Sequence, residues 1–256
     1  MRYVLTVMGL IFCIPLVMWK KAFDTNVCHQ EIELVNYKNQ KPFRLFFISD
    51  IHRRKISRRL IEEVGPEIDA VIIGGDLAEK GVPLKRIEKN IRKLAEIGPI
   101  YYVWGNNDRE VGEQNIREFI QKVGGKLLEN ESICVKTQSA SVWIVGIDDV
   151  SSGRADIEKS FGGIPENETV IFVSHTPFVF NKVKKRYTPD ILLAGHTHGG
   201  QIRLGKWGYY ERGSLRKEQD VVTMTSNGFG TTLIPLRFGA PAECHVLTIK
   251  KAIRNG

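Results

Sequence analysis

The feature that most constrains the fold is a series of short apolar segments that alternate with amphipathic ones. Apolar segments without polar alternation are typical of strands that are buried on both faces. The predicted strands lie at residues 44–49, 69–73, 100–104, 142–145, 169–173, 191–193, 221–225 and 244–249. Between them, steps of three and four between apolar residues predict helices at 58–64, 84–94, 116–123 and 157–161. This alternation predicts an α/β fold in which two packed sheets are flanked by helices.

The composition is that of an ordinary folded protein. The chain has 256 residues, of which 42% are apolar and 26% charged, so it can form one large domain or two small ones. A net charge of +8 indicates an anionic partner, which could be a phosphorylated substrate, nucleic acid or an acidic lipid surface. The cysteines form no Cys-x-x-Cys pair, which argues against a zinc ribbon or a redox motif.

The N-terminal segment Val4–Trp19 is almost wholly apolar and is flanked by basic residues. It is slightly short for a spanning helix, but interfacial residues can extend it. No small-x-small cleavage site follows it, so an uncleaved membrane anchor is favoured over a signal peptide or a buried helix. The predicted organisation is an anchor or uncleaved signal at 1–21, a connector at 22–40 and one domain at 41–256.

Two histidines, His196 and His198, follow the apolar segment at 191–193 and precede a glycine pair. Glycine allows tight turns after a strand, so the two imidazoles can converge on one small region. Neutral imidazoles are good ligands for transition metals. Taken alone, the pair could equally be two surface histidines in a loop.

Other residues that can bind a metal follow the ends of the other strands. In α/β sheets, ligands bind beyond the carboxyl ends of the strands. Singly, each residue has an ordinary structural explanation, such as a helix cap, a turn or a buried histidine. Jointly, two carboxylates, an amide and four imidazoles suit manganese, iron or zinc, and the lack of a thiolate argues against a structural zinc site. The predicted metal ligands are Asp50, His52, Asp76, Asn106, His175, His196 and His198.

The order of these motifs resembles the calcineurin-like metallophosphoesterase superfamily. The motifs are Asp50-x-His52, Gly75-Asp76, Gly105-Asn106, His175 and Gly195-His-Thr-His198. The segments Gly-His-Thr-His-Gly-Gly-Gln (195–201) and Pro-Leu-Arg-Phe-Gly-Ala-Pro (235–241) are similar to those of the bacterial branch with an N-terminal anchor or signal. The resemblance covers residues 41–251.

The resemblance implies a four-layer sandwich of two mixed β-sheets flanked by helices, with a binuclear centre at the carboxyl ends of the strands. By motif position, Asp50, His52 and His198 would hold one divalent ion. The other ion would be held by Asn106, His175 and His196, and Asp76 would bridge the two. Such a pair activates a hydroxide for hydrolysis of phosphomonoesters or phosphodiesters. The implied location is a single-pass membrane protein whose domain lies outside the cytoplasm.

One position departs from the family pattern. The family motif usually reads Gly-Asn-His, whereas this chain has Asn107 in place of the histidine. The histidine is the implied general acid or phosphate contact, and asparagine cannot give up a proton at neutral pH. Two hypotheses therefore stay open: a phosphoesterase without its usual acid, and a metal-binding scaffold that does not catalyse. Arg109 is a candidate substitute contact to phosphate.

A basic cluster directly follows the first ligand motif. Its members are Arg53, Arg54, Lys55, Arg58 and Arg59. The cluster is either a solvated helix face or an electropositive rim that attracts a phosphorylated small molecule or a lipid headgroup. Aromatic residues are not interleaved with it, so specific nucleic-acid binding is not expected. The expected partners are that substrate and, through the N-terminal helix, the membrane.

Overall fold

A computed structural model describes residues 13–136 and 141–252. Its strands are β1 (Val27–Leu34), β2 (Phe43–Ile48), β3 (Ala70–Ile73), β4 (Ile100–Tyr102), β5 (Lys126–Leu127), β6 (Glu131–Lys136), β7 (Ser141–Gly146), β8 (Thr169–Val173), β9 (Ile191–Ala194), β10 (Ser214–Glu218), β11 (Val221–Thr225) and β12 (Cys244–Lys251). Its helices are α1 (13–22), α2 (Arg58–Val64), α3 (Leu84–Ala95), α4 (Glu113–Lys122), α5 (Ile157–Ser160) and α6 (Phe180–Lys184). Single 3₁₀ turns lie at Asp108–Val111, Pro177–Val179 and His198–Gly200.

The strands form two six-stranded sheets, and both sheets are mixed. The first has the order β1-β12-β2-β3-β4-β5, and the second has the order β10-β11-β9-β8-β7-β6. Strands β2 to β5 run parallel to one another, as do β7, β8, β9 and β11. Antiparallel pairs join β12 to β2, β6 to β7 and β10 to β11. The predicted fold class is confirmed.

Residues of each central strand alternate between two separate hydrophobic cores. In β2, Leu45 and Phe47 lie in the core between the sheets, whereas Phe46 and Ile48 pack under α2, α3 and α4. In β8, Ile171 faces the inter-sheet core and Phe172 packs against α5 and α6. Both faces of these strands are therefore buried, which explains their lack of polar alternation. The result is a four-layer arrangement of helices, sheet, sheet and helices.

Helix α2 has the predicted bounds, 58–64, and capping residues set both of its ends. The helix begins after Ser57, whose hydroxyl accepts a hydrogen bond from the N–H of Leu60 at 3.1 Å. It ends at Gly65, which has φ 77°, a conformation that glycine adopts without steric cost. Between the two caps, Leu60 and Val64 are buried against the first sheet.

The stretch expected to be a connector, residues 22–40, contains strand β1 of the first sheet. Val27–Leu34 pairs in parallel with β12 along its whole length, and Ile32 and Leu34 are buried in the inter-sheet core. Strands β5, β6 and β10 were not predicted either. Each of them lies at the edge of a sheet, where an exposed side permits polar residues and weakens the apolar signal.

The prediction of a single-pass membrane protein is wrong. Residues 4–12 of the predicted span Val4–Trp19 lie outside the described residues, and residues 13–22 are helical. Among the residues that the structure describes, no helix is long and apolar enough to cross a bilayer. The sequence argument relied on interfacial residues to lengthen a segment that is short for a span, and the helical residues described do not reach the length it needs.

The four-layer packing predicts very different effects of two phenylalanine substitutions. Phe172 is fully buried beneath α5 and α6, whereas 64% of Phe178 is exposed. Phe172→Ala should lower the free energy of unfolding by about 3–5 kcal/mol, because a large cavity would remain. Phe178→Ala should change it by less than about 1 kcal/mol. Urea titrations of both variants measure this difference, and equal losses would contradict the assignment of Phe172 to the core.

Candidate metal centre

The fold brings the carboxyl ends of five strands from both sheets to one region. Asp50 and His52 follow β2, Asp76 follows β3, and Asn106 follows β4. From the second sheet, His175 follows β8, and His196 and His198 follow β9. Backbone hydrogen bonds join neighbouring loops, from the Asp50 N–H to the Gly75 carbonyl at 2.9 Å and from the Gly195 N–H to the His175 carbonyl at 3.0 Å. All seven predicted residues therefore lie in one site.

The backbone at this site adopts an unusual conformation. Five of the seven residues have positive φ: Asp50 (54°), His52 (49°), Asp76 (51°), His196 (69°) and His198 (49°). Left-handed backbone is uncommon for residues other than glycine and costs about 1–3 kcal/mol each when the surroundings impose it. The turns aim these side chains inward instead of continuing the strict alternation of a strand. Such strain typically accumulates at functional sites.

Two glycines permit the close approach of these loops. A Cβ at Gly195 would lie 2.2 Å from the hydroxyl of Ser49 and 2.3 Å from Oδ2 of Asp50. A Cβ at Gly105 would lie 2.2 Å from both the backbone nitrogen and Oδ1 of Asp76. Any larger residue at these positions would displace the two carboxylates of the site.

The first group of side chains is buried and contains two imidazoles and one carboxylate. Nε2 of His52 lies 3.2 Å from Nε2 of His198, which in turn lies 3.4 Å from Oδ1 of Asp50. Both oxygens of Asp50 accept hydrogen bonds from the backbone N–H of His196 at 3.1 Å. This carboxylate is therefore held from the second sheet even though it originates in the first.

The second group lies nearer to the surface. Nε2 of His175 lies 3.2 Å from both Oδ1 of Asn106 and Nδ1 of His196. His175 is buried, but His196 is partly exposed and Asn106 is exposed. The site is therefore open to solvent on the side of the second group.

Asp76 lies between the two groups. Its Oδ2 is 3.6 Å from Nε2 of His52 and 3.4 Å from Nε2 of His175. Ligand atoms within 4.8 Å of one another define two candidate sets, which share Asp50: one with His52 and His198, and one with Asp76 and His175. The resemblance gave Asp76 as the shared residue, so the structure adds Asp50 as a second carboxylate near both groups.

The chemistry of these donors fits a cation. Nδ1 of His175 donates to the carbonyl of Gly74 at 2.9 Å, so Nε2 carries the lone pair of the neutral ring. That lone pair faces oxygens of Asp76 and Asn106, an arrangement that is repulsive unless a proton or a metal ion lies between them. Nitrogens bound to one ion at 2.0–2.1 Å with tetrahedral angles are about 3.4 Å apart, close to the observed separation of 3.2 Å.

The ionisation of these groups reflects a strongly negative interior. Burial lowers the pKa of His175, but the carboxylates of Asp76 and Asp50 outweigh it and raise this pKa to about 10. Burial also raises the pKa of Asp76, but His175 and His52 hold it well below its ordinary value. By contrast, burial lowers the pKa of His198 to about 4, and neighbouring His52 and Arg237 contribute. Positive charge is therefore favoured beside Asp76, as it must be where a metal ion binds.

Sequence analysis missed three residues that support the site. Oε2 of Glu79 lies 2.9 Å from Nδ1 of His52, so its negative charge lies directly behind that ring, as carboxylates do behind metal-binding histidines. The carboxylate of Asp108 accepts the backbone N–H groups of Asp76, Ala78 and Gly105 at 2.8–3.1 Å. No metal-ligand spacing marks either residue in the sequence, because both act on neighbours rather than at the centre itself.

The third missed residue, Arg237, is fully buried beside His198. Its guanidinium donates to the carbonyls of Asn227 at 2.7 Å and Ala240 at 3.0 Å, and Nη2 lies 3.3 Å from Nδ1 of His198. Burial lowers the pKa of Arg237 to about 10, which still leaves it charged at neutral pH. It joins the loop of residues 226–241 to the first group of ligands. The signal in the sequence was its place in the 235–241 motif.

The structure changes the interpretation of two positions in the Gly105–Arg109 segment. Asn107 contacts Asp76 directly, through its backbone N–H to Oδ1 at 2.9 Å and through Nδ2 to Oδ2 at 2.7 Å. Arg109 instead donates to both oxygens of Asp148 at 2.7 and 2.9 Å and pairs with Glu113. Its charge is already neutralised, so Arg109 is a poor substitute for the phosphate contact.

The basic cluster is mostly occupied by local partners. Arg53 pairs with Glu79, while Arg58 and Arg59 form ion pairs one turn along α2 with Glu62 and Glu63. Arg54 is buried and donates to the backbone carbonyl of Phe229 at 2.6 Å. Of the two explanations, these contacts favour a helix face with local ion pairs over an electropositive rim.

Comparisons with known proteins identify the class that this fold and site define. The profile of the calcineurin-like phosphoesterase family matches residues 43–200. This match spans more than half of the chain and includes all seven predicted ligands. The chain belongs to the calcineurin-like phosphoesterase family.

The chain is also similar to individual proteins. The chain is 39% identical to "Uncharacterized protein YpbG" of Bacillus subtilis, over 91% of this chain and 90% of that protein. It is 29% identical to "Phosphodiesterase YaeI" of Escherichia coli, over 65% of this chain and 64% of that protein. The 5'-nucleotidase precursor from Thermus thermophilus shares the fold, with a TM-score of 0.56 and 12% identity over 81% of this chain and 55% of that chain.

The support that Asp108 gives to the ligand loops leads to a prediction. Asp108→Ala would leave three buried backbone N–H groups without their acceptor, each costing about 1–3 kcal/mol. We expect a loss of at least about 3 kcal/mol in the free energy of unfolding. Asp156→Ala is the control, because Asp156 accepts one N–H, that of Lys159, at the exposed start of α5, and losing such a cap costs about 1 kcal/mol. Denaturant titrations that rank the two variants equally would contradict the role of Asp108.

Proposed function

We propose that the protein is a divalent-metal-dependent phosphoesterase with a binuclear centre. The observation that carries the proposal is the position of the Asp76 carboxylate, which lies between the His52–His198 pair and the His175–His196 pair. A carboxylate can serve two cations with its two oxygens, so this arrangement suits a bridging ligand. Membership of the calcineurin-like phosphoesterase family supports the same reaction class.

The proposed ligands follow the two groups of side chains. Asp50, His52 and His198 would hold one ion. Asn106, His175 and His196 would hold the other, and Asp76 would bridge them. When bound, two such ions lower the pKa of water and neutralise charge on the phosphoryl oxygens. Nitrogen and oxygen donors without thiolate suit manganese, iron or zinc.

The remaining residues of the site would position the ligands and admit the substrate. Glu79 pairs with His52, Arg237 holds the loop beside His198, and Asp108 fixes the backbone at Asp76. The substrate would approach past Asn106 and His196, because these are the proposed ligands that are not buried. A phosphorylated small molecule or a lipid headgroup could enter from this side.

The side chain of Asn107 is the reason why both an enzyme and a non-catalytic scaffold were considered. Its side chain donates to Oδ2 of Asp76 at 2.7 Å, so it lies beside the proposed bridge but supplies no proton to a leaving group. We favour the enzyme, because all seven proposed ligands converge and a relative is named a phosphodiesterase. The missing acid would restrict the enzyme to esters with good leaving groups.

The bridging role of Asp76 can be tested through metal content. Asp76→Asn should weaken both ions together by more than about 100-fold, beyond the 10–100-fold typical of residues behind the ligands. Asp190→Asn is the matched control, because Asp190 is buried at the opposite end of β9 and accepts the N–H of Val170 at 2.8 Å. Metal analysis after dialysis measures the effect, and two ions retained with unchanged affinity in Asp76→Asn would exclude a bridge.

The absence of the usual acid predicts a dependence on the leaving group. Nitrophenyl esters should be hydrolysed measurably with added manganese, and alkyl phosphates far more slowly, because an alkoxide needs a proton as the bond breaks. Asn107→His should recover mainly the alkyl substrates, by up to the roughly 10²–10⁴-fold that general acid catalysis contributes. Steady-state rates on paired aryl and alkyl esters measure this recovery.

Asn115→His serves as the control for this prediction, because Asn115 lies on α4 and donates to the carbonyl of Val111. It should leave the ratio of alkyl to aryl rates unchanged. Equal wild-type rates on both ester types, with chemistry limiting, would show that another acid exists. No turnover of either type by wild type or by Asn107→His would support the scaffold instead.

A further inference from the structure

A cavity of about 300 Å³ opens directly beside the proposed metal centre. One end is formed by His196 and His198, so a group in the cavity would be close to the proposed ligands. This volume is at the lower end of the range for ligand pockets. The side chains that give the cavity its apolar character are Ile202, Tyr209, Leu233 and Ile234.

Leu233 at the rim of this cavity has two unfavourable features at once. It is 96% exposed to solvent, and its φ of 59° is in the left-handed region. A large apolar side chain gains nothing from full exposure, and left-handed backbone is costly for a residue other than glycine. Packing within the described part of the chain therefore does not account for Leu233, whereas contact with an apolar ligand would.

Gln201 holds the loop that carries Leu233 in place. Its side-chain amide donates to the carbonyls of Thr232 at 3.1 Å and Ile234 at 3.0 Å, and its Oε1 accepts the N–H of Thr232 at 3.0 Å. The loop is therefore fixed from both sides of Leu233, with the side chain directed to solvent. Fixing an exposed apolar residue in this way is a form of preorganisation for binding.

The polar groups of the cavity are poorly suited to recognising a nucleobase. The hydrogen-bonding atoms of Gln201 are already engaged with the loop. Among the described residues that line the cavity, there is no lysine, arginine or carboxylate. Apart from the imidazoles of the proposed ligands, a base would find mainly hydroxyl groups for its polar edge, and buried polar groups without full partners are costly. An aliphatic group has no such requirement.

We propose that this cavity binds an aliphatic chain of the substrate, so that the enzyme acts on an amphiphilic phosphoester. The proposal rests on the proposed phosphoesterase function, since it places the phosphoryl group at the metal centre and the chain against Leu233 and Ile234. Tyr209 and Leu233 determine specificity in this arrangement. A free alkyl phosphoester and an acyl lipid share the chemistry that the cavity recognises.

The first test compares esters that differ only in the chain. The substrates are 4-nitrophenyl methyl, butyl and octyl phosphate, which share one leaving group. They are assayed with the manganese-loaded protein at concentrations below those at which they form micelles. In the wild type, kcat/KM should rise with chain length by up to about fourfold for each methylene that enters the cavity. In Leu233→Asn and Tyr209→Ala, the ratio of octyl to methyl kcat/KM should fall by about tenfold or more.

Leu204→Asn is the matched control. Leu204 is also an exposed leucine, at 71%, but it does not line the cavity. In the Leu204→Asn variant, the ratio of octyl to methyl kcat/KM should equal that of the wild type. Asparagine is used at both leucine positions because it tolerates left-handed backbone, so Leu233→Asn should fold normally.

A second measurement does not depend on turnover. Calorimetry with octylphosphonate and methylphosphonate should show octylphosphonate binding at least about tenfold more tightly to wild type and Leu204→Asn. That preference should be lost in Leu233→Asn. The 4-nitrophenyl ester of a long-chain phosphatidic acid, dispersed as vesicles, and the soluble octyl ester share one leaving group, so assaying them side by side distinguishes a lipid source from a free alkyl phosphoester.

The outcomes separate this proposal from the proposed function. Hydrolysis of methyl and octyl esters with equal kcat/KM would overturn the chain-binding cavity and leave the phosphoesterase intact. Faster turnover of thymidine 5'-(4-nitrophenyl) phosphate than of the octyl ester would overturn it as well. If no ester is hydrolysed, the proposed function fails, and calorimetry alone decides: equal binding of the two phosphonates, or a preference that survives in Leu233→Asn, would exclude the cavity as the binding site.

Discussion

The burial of the Asp76 carboxylate is the interaction on which the rest of the site depends. An ionised carboxylate is costly to bury unless positive charge or hydrogen-bond donors surround it. Here His52 and His175 lie on either side of it, and Asn107 donates to both of its oxygens. These contacts hold the turns in place, and so do the hydrogen bonds from neighbouring backbone N–H groups to Asp108. The left-handed backbone at the proposed ligand positions is tolerated for this reason.

The site is asymmetric, and the asymmetry connects the proposed chemistry to the proposed specificity. Asp50 and His52 are enclosed, whereas Asn106 and His196 face solvent. The apolar cavity opens on the solvent-facing side, against His196 and His198. A substrate could therefore present its phosphoryl group to the exposed ligands while its chain extends along Ile202 and Leu233. The same opening would let water reach the centre.

Sequence reasoning recovered the central strands and the group of polar residues that meet at their carboxyl ends, because both leave strong local signals. Continuous apolar segments indicated strands buried on both faces, and polar residues directly after them indicated a shared edge of the sheets. It missed β1 because alternating polar residues on an edge strand resemble a connector. It also missed Glu79, whose partner His52 is distant in sequence. It missed the role of Arg237, because this side chain donates mostly to backbone carbonyls, which no side-chain pattern marks. The prediction of a membrane span rested on hydropathy alone, and among the described residues no helix is long and apolar enough to cross a bilayer.

By itself, the sequence determined the α/β class, the buried central strands and the identity of the residues at the strand ends. These properties follow from side-chain periodicity and from residue type, which are local. Only the tertiary structure decided that Asp50 lies near both groups of side chains, that Arg109 is neutralised by Asp148 and that Leu233 is held in solvent beside the centre. These depend on how loops from two different sheets meet in space, and no spacing along one chain segment specifies such a meeting.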